Sequence, residues 1–183
     1  GRLMIGQFGS IYPGKSPHAA LDVVASLKRD GHMPHMVFLG DHVMESDRTA
    51  FAAALAERNL EDDVTVTGYV ETAPDLFAMM AEIDAFLYVM PEGVTARRTS
   101  ILASVQSGRP VVVTAPGRAD EFDHHSGFAR LLASGQLVLV RRDGGPDDYA
   151  AALVGASGRK AAPAPVAPGE WWRDLVAAVR PAL

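Results

Sequence analysis

The sequence predicts an α/β domain with a parallel sheet of about six strands and helices on both faces. Three observations predict it. Short apolar runs rich in Val, Ile, Leu and Phe alternate with longer amphipathic runs along the chain. The short runs are apolar at successive residues, as strands covered on both faces are. The composition, 48% hydrophobic and 21% charged over 183 residues, is that of a globular domain that can bury a core without staples. Strict alternation with right-handed crossovers makes the arrangement Rossmann-like.

Taken in order, LMIGQF predicts the first strand at 3–8, and PHAALDVVASLK a helix over 17–28. Ser16 is an N-cap residue type and Pro17 suits the first helical turn; Gly31 stands where a helix end favours a left-handed residue. Strands follow at 36–39, 64–68, 85–90, 110–114 and 137–140. The intervening helices are expected at 48–58, 73–83, 99–107, 128–134 and 147–154, with Gly108 closing the helix at 99–107 and Met79 and Met80 in the core. Residues 1–157 form the domain on this reading. Residues 158–169, containing RKAAPAPVAPG, read as a linker, and 170–183 as a last amphipathic helix whose Trp171 and Trp172 dock back.

Composition also excludes function classes. No apolar run approaches the ~18 residues of a membrane span. Seventeen Lys and Arg against 22 Asp and Glu give a net charge of −5, so nucleic-acid binding through bulk positive charge is not expected and any anion site must be local. The absence of cysteine removes disulfides, thiolate metal sites and cysteine nucleophiles, and fits a cytoplasmic protein. The chain opens GRLMIGQFG without an initiator Met, from which an excised segment with further sequence upstream is expected.

The first loop carries the clearest motif. Gly9, Gly14, Lys15 and Ser16 match G-x-x-x-x-G-K-[ST], the phosphate loop of nucleotide triphosphatases, between a strand and a helix as that motif requires. Pro13 and Pro17 lack the N–H groups such a loop points at phosphate, and Gly40–Asp41 after the second strand is a weak Walker B candidate. Three readings stand here: a triphosphatase loop, an anion site of another kind built on an exposed Lys15, and a solvated lysine.

Taken together, the motifs resemble the C-terminal, donor-binding half of GT-B glycosyltransferases, in particular the retaining group-one family (family four). The family's strand and G-R-L-x-x-x-K-G correspond to Gly9, Ser10, Ile11, Lys15 and Ser16. VFLGD, VTVTGY and AEIDAFLYVMP, with Asp84 and Pro91, follow in the family's order. The family's E-A-M-A-x-G-x-P-V-V appears as ASVQSGRPVV over 103–112, and Glu121 stands eleven residues past Pro110, with Gly117 before it. The resemblance spans about 150 residues and implies a nucleotide-sugar donor, transfer with retention, no obligatory metal or cofactor, and a second Rossmann-like half upstream that supplies the acceptor site, a membrane-peripheral acceptor included. It also implies that Lys15 and the amides after Gly9 hold the donor diphosphate and that Glu121 approaches the sugar; read from the residues alone, Glu121 after a glycine turn equally begins a helix.

Three departures stand out. Members of the family carry two Glu separated by seven residues; here Thr95 and Ala103 occupy those places, and an Ala side chain cannot accept hydrogen bonds from a ribose. Ser10 replaces the Arg that partners the loop lysine. Arg97 and Arg98, followed by Thr99 and Ser100 at a helix start, offer replacement charge, because guanidinium forks and helix amides both attract a diphosphate. Two adjacent arginines also read as a solvated helix start, and because neighbours on a helix point ~100° apart at least one of them is expected to be that. His124 and His125, near Asp120, Glu121 and Asp123, lack the spacing of a metal site and read as solvated or capping residues. The expected function is the donor-binding half of a glycosyltransferase, inactive alone. The alternatives are a catalytically decayed Rossmann-like binding or interaction domain, in which the missing carboxylates mark lost activity, and a P-loop-type phosphate binder.

Overall fold

The computed structural model describes residues 1–123, 125–159 and 173. The strands are β1 (Leu3–Phe8), β2 (Pro34–Leu39), β3 (Val64–Val66), β4 (Ala85–Tyr88), β5 (Val111–Thr114) and β6 (Leu137–Val140). Between and after them lie α1 (Pro17–Arg29), α2 (Glu45–Arg58), α3 (Ala73–Ala81), α4 (Thr99–Gln106), α5 (Ser126–Ala133) and α6 (Pro146–Ser157). All pairings are parallel and the order is β3-β2-β1-β4-β5-β6. The predicted Rossmann-like sheet is therefore present. Its strand order reverses between β1 and β4, and the loops leaving those two strands frame the crevice where such sheets bind ligands.

The alternation of side chains across the sheet divides the core. Ile5, Phe38, Leu87 and Val112 face α1, α2 and α6, whereas Phe86, Tyr88, Val111 and Val113 face α3, α4 and α5. Gly6 is small because a Cβ there would lie 2.8 Å from the Phe86 ring. Burying each large apolar side chain contributes roughly 1.5–3 kcal/mol, which sets the sheet as the rigid part from which the loops project.

Several local expectations change. Met80 is fully buried, but Met79, one position and ~100° round the helix, is 41% exposed. β3 ends at Val66, short of the predicted 68, because Thr67 turns its hydroxyl onto the carbonyls of Phe38 and Gly68, and Gly68 takes a left-handed φ of 74°. α2 starts at Glu45, before the predicted 48, with Glu45 and Asp47 favouring its positive end. Gly31 and Gly108 adopt the expected left-handed conformation, with φ of 85° and 79°. Of the linker expected over 158–169, Gly158 is the C-cap of α6 and Arg159 donates to the Gly135 carbonyl, so these two residues close the domain; the rest of it, and the final helix with Trp171 and Trp172, lie outside the described residues apart from Arg173. No described helix is long and apolar enough to cross a membrane.

Candidate functional site

Above the C-terminal ends of β1 and β4, the loop over residues 9–16 meets the start of α4. Lys15 is not the exposed residue expected: only 7% of it is accessible. A short 3-10 turn, Pro13–Lys15, folds the chain back so that Lys15 Nζ donates to the Phe8 carbonyl oxygen at 3.3 Å and lies 5.8 Å from the centre of the Tyr12 ring. Gly9 makes this possible. Its φ of 103° suits glycine, and a Cβ at that position would approach Lys15 Nζ to 2.5 Å. Burial, and secondarily the charge of Arg98, lower the Lys15 pKa to about 8. No carboxylate pairs with Lys15 among the described residues.

Arg98 is half-buried and is the N-cap of α4; Arg97 is exposed, and only Arg98 perturbs Lys15. Thr99 is the first residue of α4 and is exposed, and Ser100 lies beside Gly9, 3.7 Å from where a Gly9 Cβ would stand. The junction is pinned by a residue that sequence reasoning missed. Tyr88 Oη accepts from the Phe8 amide at 3.1 Å and meets Ser104 Oγ at 2.7 Å, while the Ser100 and Phe8 carbonyl oxygens lie 3.3 Å away. Burial pushes the Tyr88 pKa up to about 12, so the hydroxyl stays neutral. In the sequence Tyr88 is one more large residue in an apolar run; only its partners, 12 to 80 positions away, distinguish it.

The loop before α4 is stitched to the loop after β5. Val94 N–H donates to the Thr114 carbonyl at 3.1 Å, and Gly93, with φ of 83°, packs where any Cβ would strike the Ala115 carbonyl. Glu121 Oε1 accepts from the Ala96 amide at 3.3 Å. The contact shown by Glu121 is thus a brace on the segment carrying Arg97 and Arg98. Thr95 is half-buried and its carbonyl accepts from the Arg98 amide; Ala103 packs against the core under α4.

Other sequence expectations are corrected. Ser16 precedes α1 but has φ of 44° and its hydroxyl caps nothing. Of the amides after Gly9, Ile11 donates to Asp41 O, while those of Lys15 and Ser16 close the 3-10 turn onto Tyr12 and Pro13. A triphosphatase-type amide cradle is therefore not formed. Asp41, the Walker B candidate, is held by Arg48 at 2.8 Å and by the His42 amide at 2.7 Å. His125 stands at the N-cap position of α5, in line with the capping alternative, but it is not solvated: it is fully buried and packs edge-on against Phe128 at 5.1 Å; His124 lies outside the described residues. Among the described residues no group of three or more His, Cys, Asp or Glu is placed to hold a metal ion.

Two cavities open beside this junction. One, of about 420 Å³, begins at Gly9 and Ser10 and runs past Asp41 and Val43 to Tyr69 and Leu76. The other, of about 370 Å³, lies on the far side of Tyr12, between the starts of α1 and α2.

The family model described as glycosyl transferases group 1 matches residues 2–157. Comparison with curated proteins gives no significant match. Among solved structures, TarM of S. aureus, in a complex containing UDP, superposes with a TM-score of 0.65 at 15% identity, over 96% of this chain and 32% of that one. Anabaena HepE in complex with UDP and glucose gives a TM-score of 0.64 at 15% identity, over 100% of this chain and 49% of that one. The C-terminal domain of the group 1 protein LpcC from Francisella tularensis gives 0.54 at 13% identity, over 84% and 85% of the two chains. These likenesses establish the shared fold. The chain spans 32% of the length of TarM and 49% of that of HepE.

Proposed function

The chain belongs to the group 1 glycosyl transferases, and on that premise we propose that it is the donor-binding half of an enzyme that transfers a sugar from a nucleotide diphosphate sugar to an acceptor, with retention. The observation that carries this reading is Lys15, a buried cation without a carboxylate partner among the described residues, with Arg98 adding like charge. Two cations in each other's field are costly unless an anion shares them, and a diphosphate supplies it.

In this reading Lys15 and Arg98 hold the diphosphate over Gly9. The groove past Ser10 toward Tyr69 takes the nucleoside, because its mouth is at the anion site and its far wall is apolar and aromatic. As the bond between the sugar's anomeric carbon and the diphosphate oxygen breaks, the leaving group gains charge and the two cations stabilise it without reorganising. The acceptor oxygen forms the new bond and gives up its proton within the other Rossmann-like half, which the whole enzyme contributes. UDP, found in the TarM and HepE complexes, is the first nucleotide to test. The absence of a carboxylate at Thr95 and Ala103 favours a second reading, a binding domain that has lost transfer.

The test is titration of this chain with UDP, alongside transfer assays of the full-length protein. Saturable UDP binding by the 183-residue chain without sugar transfer, and transfer by the full-length protein that is weakened by Lys15→Ala, is the expected pattern. UDP binding with a full-length protein inert toward a panel of nucleotide sugars selects the decayed reading. No binding of UDP, ADP or GDP, or binding indifferent to Lys15→Ala, overturns the donor assignment.

A further inference from the structure

The cavity beyond Tyr12 differs in chemistry from the Lys15 junction. Its floor is apolar: Ile11 and Pro17 are buried, and the Phe51 ring behind packs against His18 and His42 with centroid separations of 6.4 and 5.1 Å. Its polar groups are Tyr12, Ser16, the two imidazoles and Asp47. Asp47 is half-buried and has no ion pair among the described residues, because its neighbour Arg48 is drawn away to Asp41 at 2.8 Å and Glu45 at 3.3 Å. Burial, with Arg48 next, lowers the His42 pKa against the opposing pull of Asp41, Asp47 and Glu45 and so favours the neutral imidazole, which donates from one nitrogen and accepts at the other.

These features select a ligand class. An unpaired carboxylate repels phosphate, so this is not an extension of the anion site. His18, His42 and Asp47 are not placed as a metal-binding group. A carboxylate acceptor, neutral imidazole and two hydroxyl groups above an apolar floor match a molecule with several hydroxyls on one edge and C–H groups on its face. The volume of about 370 Å³ lies within the range of small-molecule pockets.

We propose that the cavity between the starts of α1 and α2, lined by Tyr12, His18, His42 and Asp47, is a subsite for a neutral sugar ring, separate from the diphosphate site. Asp47 and His42 bind ring hydroxyls, and the C–H face of the sugar rests on the apolar floor beside Tyr12. The inference rests on the cavity and its lining, and does not require the donor reading.

The experiment follows backbone amide shifts of the 183-residue chain, with and without saturating UDP, during titration with methyl glucosides, galactosides and N-acetylglucosaminides and with short glucans. At least one of these sugars shifts residues 11–19 and 42–50 saturably. Ala50→Trp, at an exposed lining position, abolishes that response, and the isosteric Asp47→Asn weakens it about tenfold, as expected for hydrogen bonds to an ionised acceptor. Lys15→Ala leaves it within about twofold while weakening the UDP response. A monosaccharide response as strong as that of a glucan places a single ring in the cavity; a response to glucans alone assigns it to the end of a chain. No response from any sugar overturns the proposal, as does one that survives Asp47→Asn unchanged or disappears with Lys15→Ala. If the Trp variant does not fold, Asp47→Asn decides alone. UDP shifts are read in the same spectra, so failure of this subsite is distinct from failure of the donor site.

Discussion

The Tyr88 hydroxyl lies 3.1 Å from the Phe8 amide nitrogen, tying the end of β1 to the side chain of β4 at the place where the strand order reverses. Because the same oxygen meets Ser104 Oγ at 2.7 Å, one phenol locks the loop that carries Lys15 to the helix that follows Arg98. Tyr88→Phe leaves buried partners without their hydrogen bond. The expected outcome is a loss of about 1–3 kcal/mol in urea unfolding, and UDP affinity lowered several-fold as the two cations lose registry. Unchanged UDP affinity in a destabilised variant would confine Tyr88 to a folding role.

Lys15 links the site to pH. Its folded pKa, about 8, lies below the ordinary 10.5. Below pH 8 the lysine is charged in both folded and unfolded chains, and the full burial penalty applies. Between about pH 8 and 10.5 the folded protein holds fewer protons than the unfolded one, so this group makes stability rise with pH. Lys15→Met removes the penalty and is expected to raise the midpoint of thermal unfolding at pH 7, with the advantage shrinking toward pH 10.

The same titration acts on binding in the opposite sense. Only charged Lys15 attracts a diphosphate, so UDP affinity is expected to fall as pH rises through 8 and to show no such fall in Lys15→Met. At pH 7, Lys15→Ala is expected to cost roughly 1.5–3 kcal/mol, or about ten- to a hundredfold in affinity by calorimetry.

Arg97 and Arg98 separate in the same assay. Arg98 acts on Lys15 and caps α4, whereas Arg97 points into solvent. Arg98→Ala is expected to weaken UDP binding several-fold and Arg97→Ala to leave it within about twofold, as exposed charges do. Equal effects would mean that the exposed Arg97 also reaches the ligand. Ala103→Glu in the full-length protein is expected to raise transfer less than Arg98→Ala lowers it.

Gly9→Ala tests the geometry of the loop. The new Cβ meets Lys15 Nζ and the backbone must hold φ of 103° with an L side chain. A stability loss of roughly 1–3 kcal/mol and a large drop in UDP affinity are expected, measured by unfolding and calorimetry. A variant that binds UDP as the parent does would show that Lys15 is not held over Gly9.

The sheet and its cover are legible in the chain, because continuous apolar strands and amphipathic helices are local patterns, set by which neighbouring residues must leave water. The loop motif and the paired arginines are also visible as strings, so Lys15 and the start of α4 stand out in the sequence as candidates for an anion site. Tertiary structure decided the rest. Lys15 is buried rather than solvated because the Pro13–Lys15 turn folds it back beside Gly9 onto the Phe8 carbonyl, and Arg98, the half-buried N-cap of α4, acts on it where the exposed Arg97 does not. Glu121 braces the Ala96 amide, and Tyr88 holds Phe8 across 80 residues of chain. Asp47 lost its neighbour Arg48 to Asp41. Each of these depends on which distant atoms share a few ångströms of buried space, a property that no local pattern in the chain encodes.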